Sequence, residues 1–386
     1  MSKFVASAIQ QRVKVYDTPL DYQKDIFRFL QMARAKGANL VVLPALSPLM
    51  LVPPLASNAK FNLLKQSEAG KERLSGLVGK LMRRAATAAS QAMGGLKGDL
   101  IQVLEHFPGE IYDAYIDLFS AAALKYKVTL VAGSFYLRED EEAECTHQAY
   151  IFNPNGMILG RQAKVHLSPE ELSFCHPGLG FKPIETPVGR IGVLIGEDAL
   201  YPESARILAY QGADILVNLS VTAGQPAWRQ MRNAFLARVD ENEAPGIQSA
   251  LIGSNLLNPK APDLVGKSAL LQPFQLSDNS DGLIAQTANL NKEGIVAEAV
   301  SLEQFKDYWV RPAPRLRQNM QMAAYAPLSK VYANQKTLDK TYWALPGEAS
   351  KKLAGKAAAA PRLEETKKPA TPSPGKLLSP FAEDAD

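Results

Sequence analysis

Cysteine and histidine are scarce in this chain of 386 residues, which holds two cysteines and four histidines. A disulfide framework needs more cysteines, and a four-ligand zinc site would need both cysteines plus histidines at a spacing that the sequence does not offer. We therefore predict no metal and no cofactor. Cys145 and Cys175 are interpreted as free structural thiols, and His147 and His166 as core or loop residues.

Long apolar runs and a strong excess of one charge are also missing. No uncharged run approaches the roughly 20 residues of a membrane-spanning helix, and the N-terminus does not resemble a secretory signal, so we expect a cytoplasmic protein. The formal net charge is only +4, which argues against a nucleic-acid partner. Because 46% of the residues are hydrophobic, the chain can bury one large core.

Basic charge is concentrated between Ala56 and Leu100, a stretch with eight basic and three acidic residues. Apolar residues recur there at helical spacing from Leu74 to Ala85, which predicts an amphipathic helix within an insertion of residues 52–110. It could be an ordinary surface helix, a docking helix for an acidic partner or a membrane-surface helix. The apolar stripe lacks Trp and Phe, which weakens the membrane interpretation.

Short apolar strands alternate with amphipathic helices along most of the chain, which predicts an α/β sandwich with a single core. The residues Asn153-Pro154-Asn155-Gly156 favour a tight turn and therefore a hairpin. Residues 301–345 are interpreted as a C-terminal extension, and residues 346–386, rich in Ala, Pro, Lys and Ser, as a disordered tail. The expected strands cover residues 4–9, 40–43, 129–132, 150–152, 191–195, 215–219, 247–252 and 269–271.

Seven short motifs lie at or near the ends of these strands. They are GANLVVLP from Gly37, GRQAKVHL from Gly160, PVGRIGVLI from Pro187, YPE from Tyr201, GADILVN from Gly212, ARVDEN from Ala237 and GKS from Gly266. In this order they resemble the nitrilase superfamily of carbon–nitrogen hydrolases over about residues 3–300. The resemblance implies an α-β-β-α sandwich for residues 1–300 and chemistry at carbon–nitrogen bonds.

The same resemblance implies a catalytic triad of Glu, Lys and Cys, in which the cysteine attacks carbon, the glutamate is the general base and the lysine stabilises the oxyanion. Lys164 occupies the lysine position and Glu171 that of a second family glutamate. The triad glutamate position is Ala45, and the cysteine position is Gly196. Losing nucleophile and base should cost about four to six orders of magnitude in rate, which predicts a pseudoenzyme.

Several alternatives remain open around these positions. Cys175, which precedes His176, could serve as a substitute nucleophile, although its loop lacks a strained elbow. Glu197 could act as a base or could pair with Lys164, whose burial is otherwise unfavourable. Lys164 could bind an anionic ligand or could be held in an ion pair with Glu171 or Glu197. A divergent amidohydrolase is therefore the alternative function.

The leading hypothesis is a protein that acts by binding, either as a regulatory or scaffolding subunit or as a small-metabolite sensor that uses the cavity vacated at Ala45 and Gly196. Asp198 is expected to be a scaffold charge beside that cavity. We also expect a homo-oligomer or pairing with an active paralogue, with Tyr308–Tyr325 as the candidate interface. The expected ligand-binding residues are Lys164, Glu171 and Glu197.

Overall fold

The computed structural model describes residues 3–54, 95–106, 108–139, 142–310, 321–325 and 328. The predicted basic helix at residues 71–85, the arginine-containing part of the candidate interface and the tail from residue 346 lie outside these ranges. The chain divides into two compact units, Met1–Asn319 and Met320–Asp386. In the second unit the structure describes a short 3-10 helix, Met322–Tyr325. The predictions of an interface and of an oligomer stay predictions.

The first unit consists of strands and helices that alternate over part of its length. Its elements are β1 (Lys3–Arg12), α1 (Pro19–Ala35), β2 (Leu40–Val42), α2 (Gly95–His106), α3 (Pro108–Tyr126), β3 (Thr129–Val131), β4 (Phe135–Leu137), β5 (Thr146–Phe152), β6 (Ile158–Ala163), β7 (Ile184–Thr186), β8 (Gly189–Ile195), α4 (Pro202–Tyr210), β9 (Ile215–Val221), α5 (Gly224–Glu241), β10 (Gly246–Ile252), β11 (Ala269–Leu271), β12 (Leu283–Gln286), β13 (Gly294–Ser301) and α6 (Leu302–Val310).

Local sequence explains where α1 begins and ends. The Thr18 side chain accepts a hydrogen bond from the Asp21 backbone N–H, and Pro19 occupies the first turn, where its missing N–H costs nothing. The helix ends before Gly37, whose φ of 82° suits glycine. The predicted hairpin is confirmed as well, since β5 and β6 pair antiparallel and the Asn153 side chain accepts two backbone N–H groups in the turn.

Six parallel strands form the centre of the sheet in the order β3-β2-β1-β10-β9-β8. β1 pairs along Lys3–Gln10 with antiparallel β13 and only at its last three residues with β10. Antiparallel strands extend both ends, with β4, β5 and β6 beyond β3 and β7 beyond β8. The carboxyl ends of β2 and β8 therefore point to the same edge of the sheet.

The core is layered as a sandwich. Ala6 and Ala8 of β1 pack in one cluster with Val193 and Ile195 of β8, so the two halves of the sheet face each other. A second cluster joins α1, α2 and α3 to one half, and a third joins α4 and α5 to the other. The predicted α-β-β-α sandwich is confirmed.

Residues 283–310 add structure that was not expected from the sequence. β12 and β13 are only partly buried, so neither carries a strong apolar pattern. Leu302 and Phe305 of α6 lie in the central cluster, so the core continues past residue 300. Tyr308, the first residue of the candidate interface, is buried within this unit and donates a hydrogen bond to Gln275.

Candidate ligand-binding site

A cavity of about 270 Å³ opens at the carboxyl edge of the central strands. Ala45 follows β2 by three residues and Gly196 directly follows β8, so both positions lie at this edge, and both line the cavity. The wall is largely apolar, with a few polar groups. Its charged residues within the described ranges are Lys97, Lys164, Glu170, Glu171 and Glu197.

Lys164 is held between two carboxylates. Its Nζ atom lies 2.7 Å from Glu171 Oε2 and 2.6 Å from Glu197 Oε2, and only 4% of its side chain is exposed. Burial alone would lower the pKa of Lys164, but the negative charges of Glu197 and Glu171 overcome it and raise the pKa. The lysine is therefore a cation whose charge is already neutralised, and both predicted ion pairs are formed.

Glu171 is the most fully bonded group of the site. Besides Lys164, it accepts hydrogen bonds from His147 Nδ1 at 2.8 Å, Tyr136 Oη at 3.2 Å and the Ser168 backbone N–H at 2.8 Å. Burial opposes the charged form, but the hydrogen bond from His147 and the ammonium of Lys164 hold the pKa of Glu171 well below its ordinary range. Glu171 stays ionised at neutral pH.

His147 and Tyr136 are site residues that the sequence did not reveal. Burial lowers the pKa of His147, so the ring is neutral, and its Nδ1–H donates to Glu171 while Nε2 lies 2.9 Å from Ser134 Oγ. The available signal was a histidine just upstream of the predicted strand 150–152. A neutral ring and a phenol that both face a carboxylate indicate a positioning network for Glu171.

Gly196 stands where a nucleophile would meet the lysine. Its φ is 52°, and a Cβ atom added there would lie 3.7 Å from Lys164 Nζ. A side chain at this position would therefore point at the ammonium group. The triad that the resemblance implies requires this direction of a cysteine at residue 196. Ala45 is fully buried and carries no group that could take up a proton.

Asp198 ties the strand end to the lysine segment. Its fully buried carboxylate accepts the backbone N–H groups of Val165 at 3.2 Å, His166 at 2.9 Å and Ile195 at 3.3 Å. The expectation of a scaffold charge is confirmed. These bonds connect the end of β8 to the segment that carries Lys164. They therefore fix the distance between the backbones of residues 196 and 164, which form the two sides of the cavity floor.

Cys175 does not reach the cavity as a substitute nucleophile. It is buried, it is not among the residues that line the cavity, and its Sγ atom lies 2.9 Å from Cys145 Sγ. The hydrogen bond with Cys145 and burial raise the pKa of Cys175, which keeps the thiol protonated. The predicted alternative role of Cys175 therefore lacks geometric support.

Within the described ranges, no group of three or more His, Cys, Asp or Glu side chains is arranged to hold a metal ion. Among the helices of the same ranges, none has the length and apolar character that crossing a membrane requires. The best-connected part of the site consists of Lys164, the carboxylates of Glu171 and Glu197, and the groups that donate hydrogen bonds to Glu171.

A family model described as carbon-nitrogen hydrolase matches residues 5–308. The chain belongs to the carbon-nitrogen hydrolase family. The match includes β1 through most of α6, which is the same part of the chain that forms the sandwich and the cavity.

Two individual proteins resemble parts of this chain. The Bacillus subtilis protein named Probable hydrolase YhcX is 31% identical over 197 residues, which cover 50% of this chain and 37% of that protein. The Schizosaccharomyces pombe protein named Probable nitrilase C965.09 is 29% identical over 188 residues, 48% of this chain and 64% of that protein. The chain thus spans less than two thirds of each relative.

A solved structure shows the same fold. The carbon-nitrogen hydrolase from Helicobacter pylori G27 superposes with a TM-score of 0.61 at 21% identity and covers 85% of this chain and 99% of that chain. At this identity the likeness concerns the fold, and the chemistry of the present site has to be argued from its own residues.

Proposed function

We propose that this carbon-nitrogen hydrolase family member binds a small molecule in the cavity without cleaving it. The observation that carries the proposal is the pair Ala45 and Gly196, which line the cavity beside Lys164 and supply neither a base nor a nucleophile. The groups around them are well bonded, since Asp198 and Glu171 each accept several hydrogen bonds. A binding role uses what remains.

The charges of the wall favour a ligand that is not an anion. Lys164 is already neutralised by two carboxylates, so it has little attraction left for a third. Glu197 keeps 42% of its side chain exposed and adds a negative charge to the cavity wall. Lys97 and Glu170 also line the cavity and carry opposite charges. We infer a ligand with an apolar body and an amine or amide end, which could donate hydrogen bonds to Glu197.

Thermal shift with a matched ligand set tests the binding role. A primary alkylamine, the amide and the carboxylate of the same carbon skeleton are compared at millimolar concentration. The amine and the amide should raise the melting temperature, whereas the carboxylate should not. Ala261 lines the cavity, so Ala261→Trp should fill part of it and abolish the shift in melting temperature. Ala288→Trp at an exposed position is the control and should keep the shift. If no compound shifts the parent protein, the binding role is wrong.

Glu197 favours a second candidate, a divergent amidohydrolase. Its carboxylate lies 2.6 Å from Lys164 Nζ and belongs to the residue next to Gly196. There it could deprotonate a water molecule, while Lys164 stabilises the oxyanion. If the protein is a divergent amidohydrolase, it should release ammonia from the amide of the ligand set. Both Glu197→Gln and Lys164→Ala should then abolish this release. Absence of hydrolysis alongside amide binding would leave only the first proposal.

A further inference from the structure

The two cysteines of the chain lie in contact although 30 residues separate them in sequence. Their Sγ atoms are 2.9 Å apart, and both are free thiols. Cys145 is partly exposed and Cys175 is buried. We infer that Cys145 and Cys175 form a reversible disulfide when the protein meets a peroxide.

The backbone around the pair already has the geometry that a disulfide needs. Thr146 and His176 form a parallel β-bridge, and the His176 N–H donates to the Cys145 carbonyl at 2.8 Å. Cys145 and Cys175 therefore occupy neighbouring positions on two adjacent extended segments, which run about 4.8 Å apart. Disulfides bridge Cα atoms roughly 4.4–6.8 Å apart, so closing the bond requires only a small movement of the sulfurs.

The different exposure of the two cysteine residues gives the order of events. Cys145 as a thiolate attacks one peroxide oxygen, the O–O bond breaks, and a sulfenic acid and hydroxide form. The hydroxide takes up the proton released by Cys145 and becomes water. The Cys175 sulfur then attacks the sulfenic sulfur, and the departing hydroxide leaves as water with the Cys175 proton. Two thiols are thus oxidised, and one peroxide is reduced to two waters.

The disulfide between Cys145 and Cys175 would join two segments that form one wall of the cavity. Cys175 donates its backbone N–H to the Glu171 carbonyl at 2.8 Å, and Phe174 between them lines the cavity. Cys145 directly precedes β5, the strand that carries His147. A disulfide would therefore fasten the segment with Glu171 to the strand whose His147 bonds it. Oxidation should make this wall more rigid, whether or not a ligand binds there.

The test is thiol counting on the full chain. The protein is treated with hydrogen peroxide, quenched, denatured and alkylated with a maleimide. Before treatment both cysteines should be labelled. Afterwards neither should be, the intact mass should fall by two hydrogen atoms, and a non-reducing digest should yield one peptide that links Cys145 to Cys175. Dithiothreitol should restore both thiols, and the melting temperature should rise only in the oxidised parent protein.

Cys145→Ser and Cys175→Ser are the matched variants, since each keeps one thiol and should gain no melting temperature from peroxide. Three results would overturn the inference in folded parent protein: both thiols still labelled after excess peroxide, sulfinic acid on the separate cysteines, or a disulfide that joins two chains. Circular dichroism of each sample shows that the protein is folded, so a misfolded variant cannot be mistaken for any of these results.

Discussion

The two sides of the cavity floor differ in how much of their polar framework they keep. On the side after β6, Lys164 and Glu171 form an ion pair that is supported by His147 and Ser168. On the side at the ends of β2 and β8, residues 45 and 196 are the two smallest amino acids, alanine and glycine. We call the first the charged side, because it is a network of buried charges, and the second the empty side, because residues 45 and 196 carry no polar side-chain atoms.

Physical chemistry explains why the two sides can change independently. A buried charge that loses its partner costs several kcal/mol, so members of the Lys164 network cannot be removed one at a time without a large loss of stability. Shortening a side chain that borders an existing cavity removes fewer packing contacts than shortening one that is packed on all sides, and it therefore costs less. Glu197 supplies the second carboxylate that Lys164 requires. The comparison predicts different responses to mutation on the two sides.

Refilling the empty side should have the largest effect. The double variant Ala45→Glu/Gly196→Cys introduces a carboxylate and a thiol at the two positions where the resemblance expects a base and a nucleophile. We expect amide hydrolysis to rise at least about 100-fold above that of the parent protein. Ammonia release from a small amide is the measurement. Ala45→Glu/Gly196→Ser is the control and should stay near the parent rate. A folded double variant that is no faster would show that a carboxylate at residue 45 and a thiol at residue 196 are not sufficient for hydrolysis.

Breaking the charged side should have the largest effect on stability. Lys164→Met leaves Glu171 and Glu197 without their cation, and we expect unfolding in urea to require about 3–5 kcal/mol less free energy. Lys24→Met serves as the control, because Lys24 is 66% exposed and pairs with Asp21 at the surface. Equal losses in both variants would contradict the idea that the Lys164 network is a buried unit.

The fold could be predicted from the sequence better than the site. Apolar strands, helix caps and turn residues such as Asn153 act through near neighbours, so their pattern is legible along the chain. The identities of Ala45 and Gly196 were equally legible, because the resemblance assigns positions. The contacts of His147 and the meeting of the two cysteines depend on strand pairing across distant segments. No local pattern encodes that pairing, which arises only when the sheet assembles.

Acid should weaken the charged side. The pKa of Glu171 is lowered in the folded protein, so its contribution to stability is fully present above the unfolded value of about 4.3 and is lost as the pH falls below it toward the folded value. Urea midpoints measured from pH 7 down to pH 3 should fall less steeply in Glu171→Gln than in the parent. Parallel curves for the two proteins would mean that other carboxylates dominate the acid response.

Asp198 tests the link between the two sides. Asp198→Asn keeps the size of the side chain but replaces one acceptor oxygen and removes the charge that receives three backbone N–H groups. We expect a loss of about 1–3 kcal/mol in the free energy of unfolding. Asp281→Asn, a surface aspartate that bonds its own turn, is the control and should change stability little. A larger loss in the control would mean that the hydrogen bonds of Asp198 contribute less to stability than those of a surface turn.

Gly196→Ala should have the smallest effect of these variants. It tests whether the backbone at residue 196 is held in its left-handed conformation. The space is open, since the nearest atom to the new Cβ would be Lys164 Nζ at 3.7 Å, but the φ of 52° is unfavourable for alanine. We expect a loss of about 1 kcal/mol in the free energy of unfolding. Gly109→Ala in α3 is the control, because no atom of a neighbouring residue would lie within 4 Å of the added Cβ. It should be neutral or slightly stabilising. If Gly196→Ala is also neutral, the strand end has relaxed, and a nucleophile placed there would no longer be aimed at the lysine.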